Sequence, residues 1–296
     1  MKVLAISGDK RFKPGNPRYD LQASAVDLAV VYWGRGALFP RIPEGHFDVV
    51  SAQDPFFRGL FAWYVAKRLK ARFNVQVHTD LSAQPFFKYF IAKKVLRHAD
   101  TVRVVSKKGK SQIEHIRVRG CISILPVFTD LSRFSSIVRK PDPHTILWVG
   151  RFEVEKNPFY ALDVLKYVRK QGVDARLVML GDGSLRGMLE GKASALSLPV
   201  EFPGWHDPAP YLATATLVLS TSVHESWGAS IIEALAAGVP VVAPDVGIAR
   251  EAGAIVVSHE HMPGIVTEAL QSGAETHLAI TMPSKDEWVK EWVTTL

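Results

Sequence analysis

Apolar residues in the second half of the chain alternate between short runs, typical of buried strands, and segments with helical spacing. The run 144–150 ends in glycine and predicts a strand. The segment 157–171 has an apolar helical face, with Pro158 in the first helical position and Gly172 behind the last. Further strands are expected at 175–181, 200–203, 217–222 and 240–243, and further helices at 184–196 and 230–237. This alternation predicts a parallel sheet with helices on both faces.

The first half of the chain follows the same pattern. Strands are expected at 2–7, 27–32, 47–52, 74–79, 101–106 and 122–125, and helices near 55–72, 84–98 and 108–117. A polar, proline-containing stretch at 135–143 separates the halves. The predicted fold class is therefore α/β, with two Rossmann-like, doubly wound parallel-sheet domains at 1–138 and 139–284. A final helix at 285–296 is a candidate to pack on the first domain. Two such domains facing each other would leave a cleft lined by loops that follow strands.

Composition is that of a globular protein, and the charge is divided unevenly along the chain. Residues 1–140 hold 25 lysines and arginines against 10 acidic residues, a net charge of +15, whereas the remainder holds 11 against 19, a net charge of −8. The basic half favours an anionic partner. The single cysteine, Cys121, excludes a disulfide framework. We find no apolar run long enough for a secretory signal or a membrane span, so the expected location is the cytoplasm or the inner face of a membrane.

The strongest candidate site follows the strand expected at 217–222. Glu225 lies in the loop after this strand, and Glu233 lies roughly one turn inside the next helix. Small residues open that helix and would let a phosphate approach its unpaired backbone N–H groups: Gly228, Ala229 and Ser230. Both carboxylates could accept hydrogen bonds from the hydroxyls of a sugar or a ribose. The alternative is that Glu225 caps the helix and Glu233 faces solvent, but the apolar neighbours of Glu233 make its burial costly without partners.

A second candidate site follows the strand expected at 144–150. Arg151 and Lys156 lie between this strand and the next helix, where they could neutralise a diphosphate without a metal ion. The alternative is a solvated cluster of ion pairs with Glu153 and Glu155. The ten histidines show no spacing typical of a metal site.

Together the two segments resemble family 4 glycosyltransferases, a group of retaining enzymes with the GT-B fold. The resemblance rests on GRFEVEKNP at 150–158, on Glu225 and Glu233 with seven residues between them, and on AAGVPVVAPDVG at 236–247. In the first half, QVHTD at 76–80, VVS at 104–106 and LPVFTD at 125–130 are also similar to that family.

The resemblance implies a UDP-, GDP- or ADP-sugar donor, a glycan or lipid-linked hydroxyl acceptor, and neither a metal nor another cofactor. It also implies same-face attack, with the leaving phosphate accepting the acceptor's proton. The implied site residues are Glu225 and His78 for catalysis, Arg151, Lys156, Gly228, Ala229 and Ser230 for the diphosphate, Glu233 for the ribose, Gly181, Gly183, Gly204 and Trp205 near the nucleobase, and Asp80, Gly15 and Asn16 on the acceptor side.

The first domain departs from the family pattern. The family's first strand is usually followed by a glycine pair, whereas the loop 7–16 has only separated glycines. The first domain is also short for the family, so the acceptor site is less well defined than the donor site.

Aromatic and basic residues interleave on the helix expected at 55–72, which could dock on an anionic bilayer. The basic residues of this helix or beside it are Arg58, Lys67, Arg68, Lys70 and Arg72. The alternative for the helix is a core position with a basic outer face. Other interpretations of the whole chain are a sugar-nucleotide epimerase, a phosphorylase on the same fold, or a nucleic-acid-binding protein, although we find no helix-turn-helix or basic–aromatic RNA motif.

Overall fold

The computed structural model describes residues 1–34, 40–274 and 276–296. The chain divides into two compact units. The first comprises Met1–Phe128 and Pro283–Leu296, and the second comprises Thr129–Met282. The second unit therefore begins ahead of the polar stretch at 135–143, and the C-terminal segment belongs to the first unit.

All strand pairings in the described residues are parallel. In chain order the strands are β1 (Lys2–Ser7), β2 (Asp27–Tyr32), β3 (Val49–Ala52), β4 (Arg72–Val77), β5 (Thr101–Val104), β6 (Cys121–Ile124), β7 (Thr145–Val149), β8 (Arg176–Leu180), β9 (Val200–Gly204), β10 (Leu217–Leu219), β11 (Val241–Ala243) and β12 (Ile255–Val256). The first unit has the sheet order β2-β1-β3-β4-β5-β6, and the second has β12-β11-β10-β7-β8-β9. The predicted fold class, with two doubly wound parallel sheets, is confirmed.

Helices connect these strands. They are α1 (Pro17–Ala23), α2 (Phe57–Leu69), α3 (Phe86–Leu96), α4 (Lys107–Ser111), α5 (Ser132–Ser135), α6 (Pro158–Lys170), α7 (Arg186–Ala195), α8 (Ala209–Thr214), α9 (Ala229–Ala236), α10 (Ala249–Ala252), α11 (Met262–Ser272) and α12 (Lys285–Thr294). None of the helices in the described ranges is long and apolar enough to cross a membrane.

Two helix predictions were wrong in detail, and further helices were missed. The helix expected at 55–72 ends at Leu69, because Lys70 adopts a left-handed conformation with φ +54° and caps the carboxyl end. Arg72 consequently begins β4. The helix expected at 108–117 is reduced to α4, which contains the weak helix former Gly109. The short helix α1 and the longer α11 were not predicted.

The C-terminal helix α12 belongs to the core of the first unit. Trp288 and Trp292 are buried with Val3, Ala5 and Leu125 of that unit. The Trp288 indole N–H donates to the carbonyl oxygen of Pro126 at 2.8 Å. The end of the chain is therefore anchored both by apolar burial and by a hydrogen bond to the backbone.

The sheet order of the second unit places two loops side by side. The chain runs from β7 outward through β8 to β9, and then returns to β10 on the other side of β7. The crevice at such a reversal, outside the carboxyl ends of the strands, is where open α/β sheets bind ligands. The loops that follow β7 and β10 carry the two segments singled out in the sequence, 150–158 and 221–233.

Candidate functional site

Hydrogen bonds tie the loop after β10 to the loop after β7. The Thr221 hydroxyl oxygen lies 2.9 Å from the carbonyl oxygens of both Lys156 and Asn157, which share its single proton, and it accepts from the Trp148 indole N–H at 2.9 Å. The Val223 backbone N–H donates to the Glu155 carbonyl oxygen at 2.9 Å. The two loops, far apart in sequence, are therefore joined by hydrogen bonds and lie side by side.

Lys156 and Glu225 form an ion pair across these two loops. The Lys156 ammonium donates to Oε1 of Glu225, which also accepts from the Ser222 hydroxyl at 3.0 Å. The side chains retain only 18% and 14% of their exposure. Pairing offsets the cost of removing both charges from water, and the pair places a cation and a carboxylate at the crevice. Ser222, which the sequence did not single out, orients the carboxylate.

The amino end of α9 lies beside this pair. Gly228 occupies the N-cap position with φ +101°, a conformation that favours glycine. Ala229 and Ser230 form the first turn, whose backbone N–H groups lack partners within the helix. This end of α9 carries a partial positive charge suited to an anion.

Glu233 is the half-buried acid of the apolar helix α9. Burial raises the pKa of its carboxyl group to about 7, the nearby charge of Asp207 adds to this rise, and the charge of Arg133 opposes it. In residues 1–34, 40–274 and 276–296, no side chain donates a hydrogen bond to this carboxylate. Burying this carboxylate without hydrogen-bond donors lowers the stability of the folded chain. Its oxygens can instead accept hydrogen bonds from the hydroxyls of a ligand.

Arg151 is more exposed than Lys156. Its guanidinium donates to Oε1 of Glu155 at 2.7 Å, so part of the predicted alternative, an ion-pair cluster, is present. Glu153 belongs to a different contact: its carboxylate accepts from the Ser184 backbone N–H at 3.0 Å and from the Ser184 hydroxyl at 2.8 Å. These hydrogen bonds hold the pKa of Glu153 below its usual range. Of these two carboxylates, Arg151 therefore hydrogen-bonds only that of Glu155.

Two of the glycines expected near a nucleobase lie where the backbone of a neighbouring loop leaves no room for a side chain. A Cβ at Gly181 would lie 1.9 Å from the Gly150 carbonyl oxygen, and one at Gly183 would lie 2.6 Å from that of Phe152. Both glycines therefore let the loops after β7 and β8 approach each other. Gly204 has φ +90°, and Trp205 beside it exposes its ring.

Gly247 is a site residue that the sequence analysis did not assign. Its φ is +52°, and a Cβ there would lie 2.3 Å from the Trp227 carbonyl oxygen and 3.2 Å from the Glu225 Cβ. A side chain at this position would displace the loop that carries Glu225. Gly247 is the last residue of the segment AAGVPVVAPDVG, but only the packing shows that it lies against Trp227 and Glu225.

In the first unit, His78 follows β4 and contacts a buried arginine through Gln76. The Arg103 guanidinium donates to Oε1 of Gln76 at 3.1 Å, and the same oxygen lies 3.2 Å from Nε2 of His78. Because Arg103 is a donor only, the amide oxygen faces it and the imidazole proton lies on Nε2.

The His78 imidazole is neutral at physiological pH. Loss of water contact, followed by the positive charges of Arg103 and Arg18, lowers its pKa to about 3. Arg103 is nearly fully buried, which lowers its own pKa to about 9, and it also donates to the carbonyl oxygens of Leu125 and Pro126. His78 can therefore exchange hydrogen bonds with a ligand but does not supply a charge.

The residues expected on the acceptor side have local structural contacts. Oδ1 of Asn16 accepts from the backbone N–H groups of Arg18 and Tyr19 and so caps α1. Gly15 forms the preceding turn with φ +88°. Asp80 accepts from the Ser82 hydroxyl at 2.6 Å and from the Gln112 amide at 2.7 Å. Each of the three residues therefore has a local structural contact, and its expected place on the acceptor side stays a prediction.

The described part of the chain contains no group of three or more histidine, cysteine or acidic side chains that could hold a metal ion. Lys156 and Arg151 supply cationic side chains at the crevice of the second unit. The exposed Cys121 is a free thiol.

Comparison with known proteins gives a family match within the second unit. Residues 143–276 match the family model of glycosyl transferases group 1. This part of the chain is a group 1 glycosyltransferase domain. It contains both segments that form the crevice, so the paired loops and the amino end of α9 belong to that domain.

The alignments to curated relatives are longer than the domain at 143–276. The chain is 34% identical over 184 residues to a GDP-mannose-dependent α-(1-6)-phosphatidylinositol dimannoside mannosyltransferase of Mycobacterium tuberculosis. This alignment covers 58% of this chain and 47% of the relative. It is 24% identical over 247 residues to the α-monoglucosyldiacylglycerol synthase of Streptococcus pneumoniae, covering 73% of this chain and 56% of the relative. The chain therefore spans about half the length of the curated relatives it matches.

Solved structures share the fold of the whole chain. Anabaena HepE, crystallised in complex with UDP and glucose, has a TM-score of 0.72 at 14% identity, covering 100% of this chain and 95% of HepE. The lipopolysaccharide outer core galactosyltransferase WaaB has a TM-score of 0.72 at 18% identity, with the same coverage. The glycosyltransferase domain and the first unit together have the GT-B fold of these proteins.

Proposed function

We propose that the protein transfers a sugar from a nucleoside-diphosphate sugar to a hydroxyl acceptor, with retention of the anomeric configuration. The observation that carries this proposal is the Lys156–Glu225 pair beside the amino end of α9, at the strand-order reversal of a group 1 glycosyltransferase domain. The relatives named above are transferases or synthases that act on sugars, which supports the same reaction class.

The donor would bind through groups of the second unit. Lys156 and Arg151 would neutralise the diphosphate, and the first-turn N–H groups of α9 would donate to its oxygens. Glu233 would accept from the ribose hydroxyls, which supply the donors its carboxylate lacks. Glu225 would contact the transferred sugar once phosphate oxygens compete for Lys156. We propose that two cationic side chains stand in for a metal ion in this site.

The reaction would be a same-face displacement. The bond between the anomeric carbon and the diphosphate oxygen breaks, and the acceptor oxygen bonds to that carbon on the same face. The acceptor proton passes to the departing phosphate oxygen. Negative charge grows on the diphosphate as the bond breaks, and fixed cations and N–H dipoles stabilise that growth. Neutral His78 is proposed to hydrogen-bond a sugar hydroxyl.

Two measurements test the proposal. A thermal-shift series with UDP, GDP and ADP should show stabilisation by one nucleotide, because ligand binding to the folded state raises its stability. Transfer from the matching sugar nucleotide should then yield a product whose anomeric configuration, read by NMR, equals that of the donor. Inversion would reject the mechanism, epimerised donor without transfer would favour an epimerase, and the absence of any nucleotide effect would reject the donor site.

For the acceptor, we propose a lipid-linked hydroxyl reached at an anionic membrane surface. Two neighbouring helices, α2 and α3, contain no acidic residue. Their exposed aromatic and basic side chains form what we call the aromatic–basic face: Phe57, Tyr64, Lys67, Arg68, Phe86, Phe87, Phe90 and Lys94. Phe86 is 84% exposed. Exposed aromatics beside cations are typical of proteins that lie in a membrane interface.

This face differs from the one expected on residues 55–72. Arg58 pairs with Asp54 and packs against Gly8, where a Cβ would lie 2.4 Å from its Cζ. Arg72 lies on β4. Neither residue therefore belongs to the face, whereas α3 supplies aromatic side chains that the sequence analysis did not include.

The double variant Phe86→Ser/Phe90→Ser is expected to bind anionic vesicles at least tenfold more weakly than the wild type, because each ring contributes apolar burial in the interface. The measurement is sedimentation with vesicles of phosphatidylglycerol and phosphatidylcholine at two salt concentrations. Met188→Ser, which removes from α7 an apolar side chain about as exposed as Phe90, is the control and should bind like the wild type. Unchanged binding of the double variant, or binding that ignores salt, would reject this docking face.

A further inference from the structure

The first unit contains a cavity of about 810 Å³ between α2 and residues 40–44. Its lining is mostly apolar, with Trp33, Ile42, Phe57, Leu60, Phe61 and Tyr64. A volume of this size is typical of pockets that enclose a small-molecule ligand. The cavity belongs to the first unit, whereas the residues proposed to bind the diphosphate and the ribose of the donor belong to the second unit.

The walls of the cavity suit a hydrocarbon. Phe61 is buried in the core, and its ring lies 5.1 Å from that of Trp33. Phe57 and Tyr64, which lie about two turns apart on the same face of α2, remain more than half exposed beside them. Apolar side chains left open around a preformed pocket gain free energy when an apolar ligand covers them.

The charges at the cavity favour an anionic headgroup. Arg41, Glu44 and Arg68 are its charged lining residues. Arg41 and Glu44 partly neutralise each other at 3.7 Å. Arg68, exposed on α2, forms no ion pair with the residues that the structure describes, so it offers a cation beside the apolar walls. It also belongs to the aromatic–basic face, which makes the cavity continuous with the proposed membrane contact.

We propose that this cavity holds an acyl chain of an anionic phospholipid that carries the acceptor hydroxyl, with its phosphate at Arg68. The inference rests on the lipid-linked acceptor of the proposed function and adds where the lipid binds. The chain lies along Leu60 and Trp33 while the headgroup stays at the surface. Lipid selectivity then comes from the first unit and donor selectivity from the second.

The test uses dihexanoylphosphatidylglycerol below its micelle concentration, which separates cavity binding from vesicle docking. Calorimetry should show binding to the wild type and roughly tenfold weaker binding to Arg68→Glu. Leu60→Trp, which fills the cavity, should bind at least tenfold more weakly. The neutral dihexanoylphosphatidylcholine should bind more weakly than the anionic lipid.

Lys70→Glu is the matched control, since it makes the same change of charge beyond the end of α2 and outside the lining. It should bind the anionic lipid like the wild type. If Leu60→Trp fails to fold by circular dichroism, Arg68→Glu and Lys70→Glu still decide the question. No lipid binding by the wild type, or equal binding by Arg68→Glu, overturns the proposal. Nucleotide-induced thermal shifts, measured in every variant, report the donor site separately, so loss of the lipid site is distinguishable from failure of the proposed function.

Discussion

Replacement of Glu225 by glutamine or of Lys156 by methionine is expected to lower kcat by roughly 10²- to 10³-fold, the range found when one fixed group that stabilises a transition-state charge is removed. Each variant keeps the shape of the side chain and removes its charge. Steady-state kinetics with the nucleotide sugar found by thermal shift is the measurement. Glu268→Gln, an exposed acid-to-amide change on α11, should leave kcat unchanged.

Stability distinguishes the chemical role of this pair from a structural one. Either single replacement leaves one charge largely removed from water without its partner, so the Tm of each should fall. The double variant removes both charges and should recover much of that Tm while remaining inactive. Wild-type activity in either single variant would contradict the proposed roles. Recovery of both Tm and activity in the double variant would show that the pair is structural.

Glu233→Gln is expected to raise the donor KM by about 10- to 100-fold, since the amide cannot accept two ribose hydroxyls as a carboxylate does. Because burial raises the pKa of Glu233 to about 7, the free enzyme should bind donor more weakly as the pH falls below that value. A profile of kcat/KM against pH from 5 to 8 should show this loss in the wild type only. A wild-type profile without that loss would contradict the ribose role.

The same carboxyl group should make stability depend on pH. Its folded-state pKa of about 7 lies above the ordinary 4.5, so between these values the folded chain holds more protons than the unfolded chain. Stability without ligand is therefore expected to fall as the pH rises through this window and to level off above about 7. Glu233→Gln should remove this slope from the Tm measured across the window. An equal slope in the variant would assign it to other groups.

Local patterns predicted much of the second unit. The expected strand at 144–150 contains β7, and the expected helix at 157–171 contains α6, because short apolar runs and helical spacing report which residues are buried. Asn157 occupies the N-cap position of α6, with φ +49° and without a side-chain hydrogen bond. The helix predictions failed for short segments, since α1 was not predicted and α4 is a fragment of the helix expected at 108–117, and they also missed the longer α11.

The candidate site was also predicted only in part from the sequence. The sequence singled out Glu225, Lys156 and Glu233 by residue type and position after strands. It did not show that Lys156 and Glu225 pair, because the partners are 69 residues apart and no periodic signal reports such a contact. It also left Gly247 unassigned, because the need for glycine there comes from the approach of the Trp227 carbonyl.

By itself, the sequence determined the alternation of strands and helices, the two parallel sheets and the residue types at the carboxyl ends of β7 and β10, since these follow from local burial and backbone preference. The tertiary structure decided which charges meet. It paired Lys156 with Glu225, linked Arg103 to His78 through Gln76, and turned Arg58 away from the aromatic–basic face. Ion pairs and cavities depend on segments distant along the chain, and only packing brings those segments together.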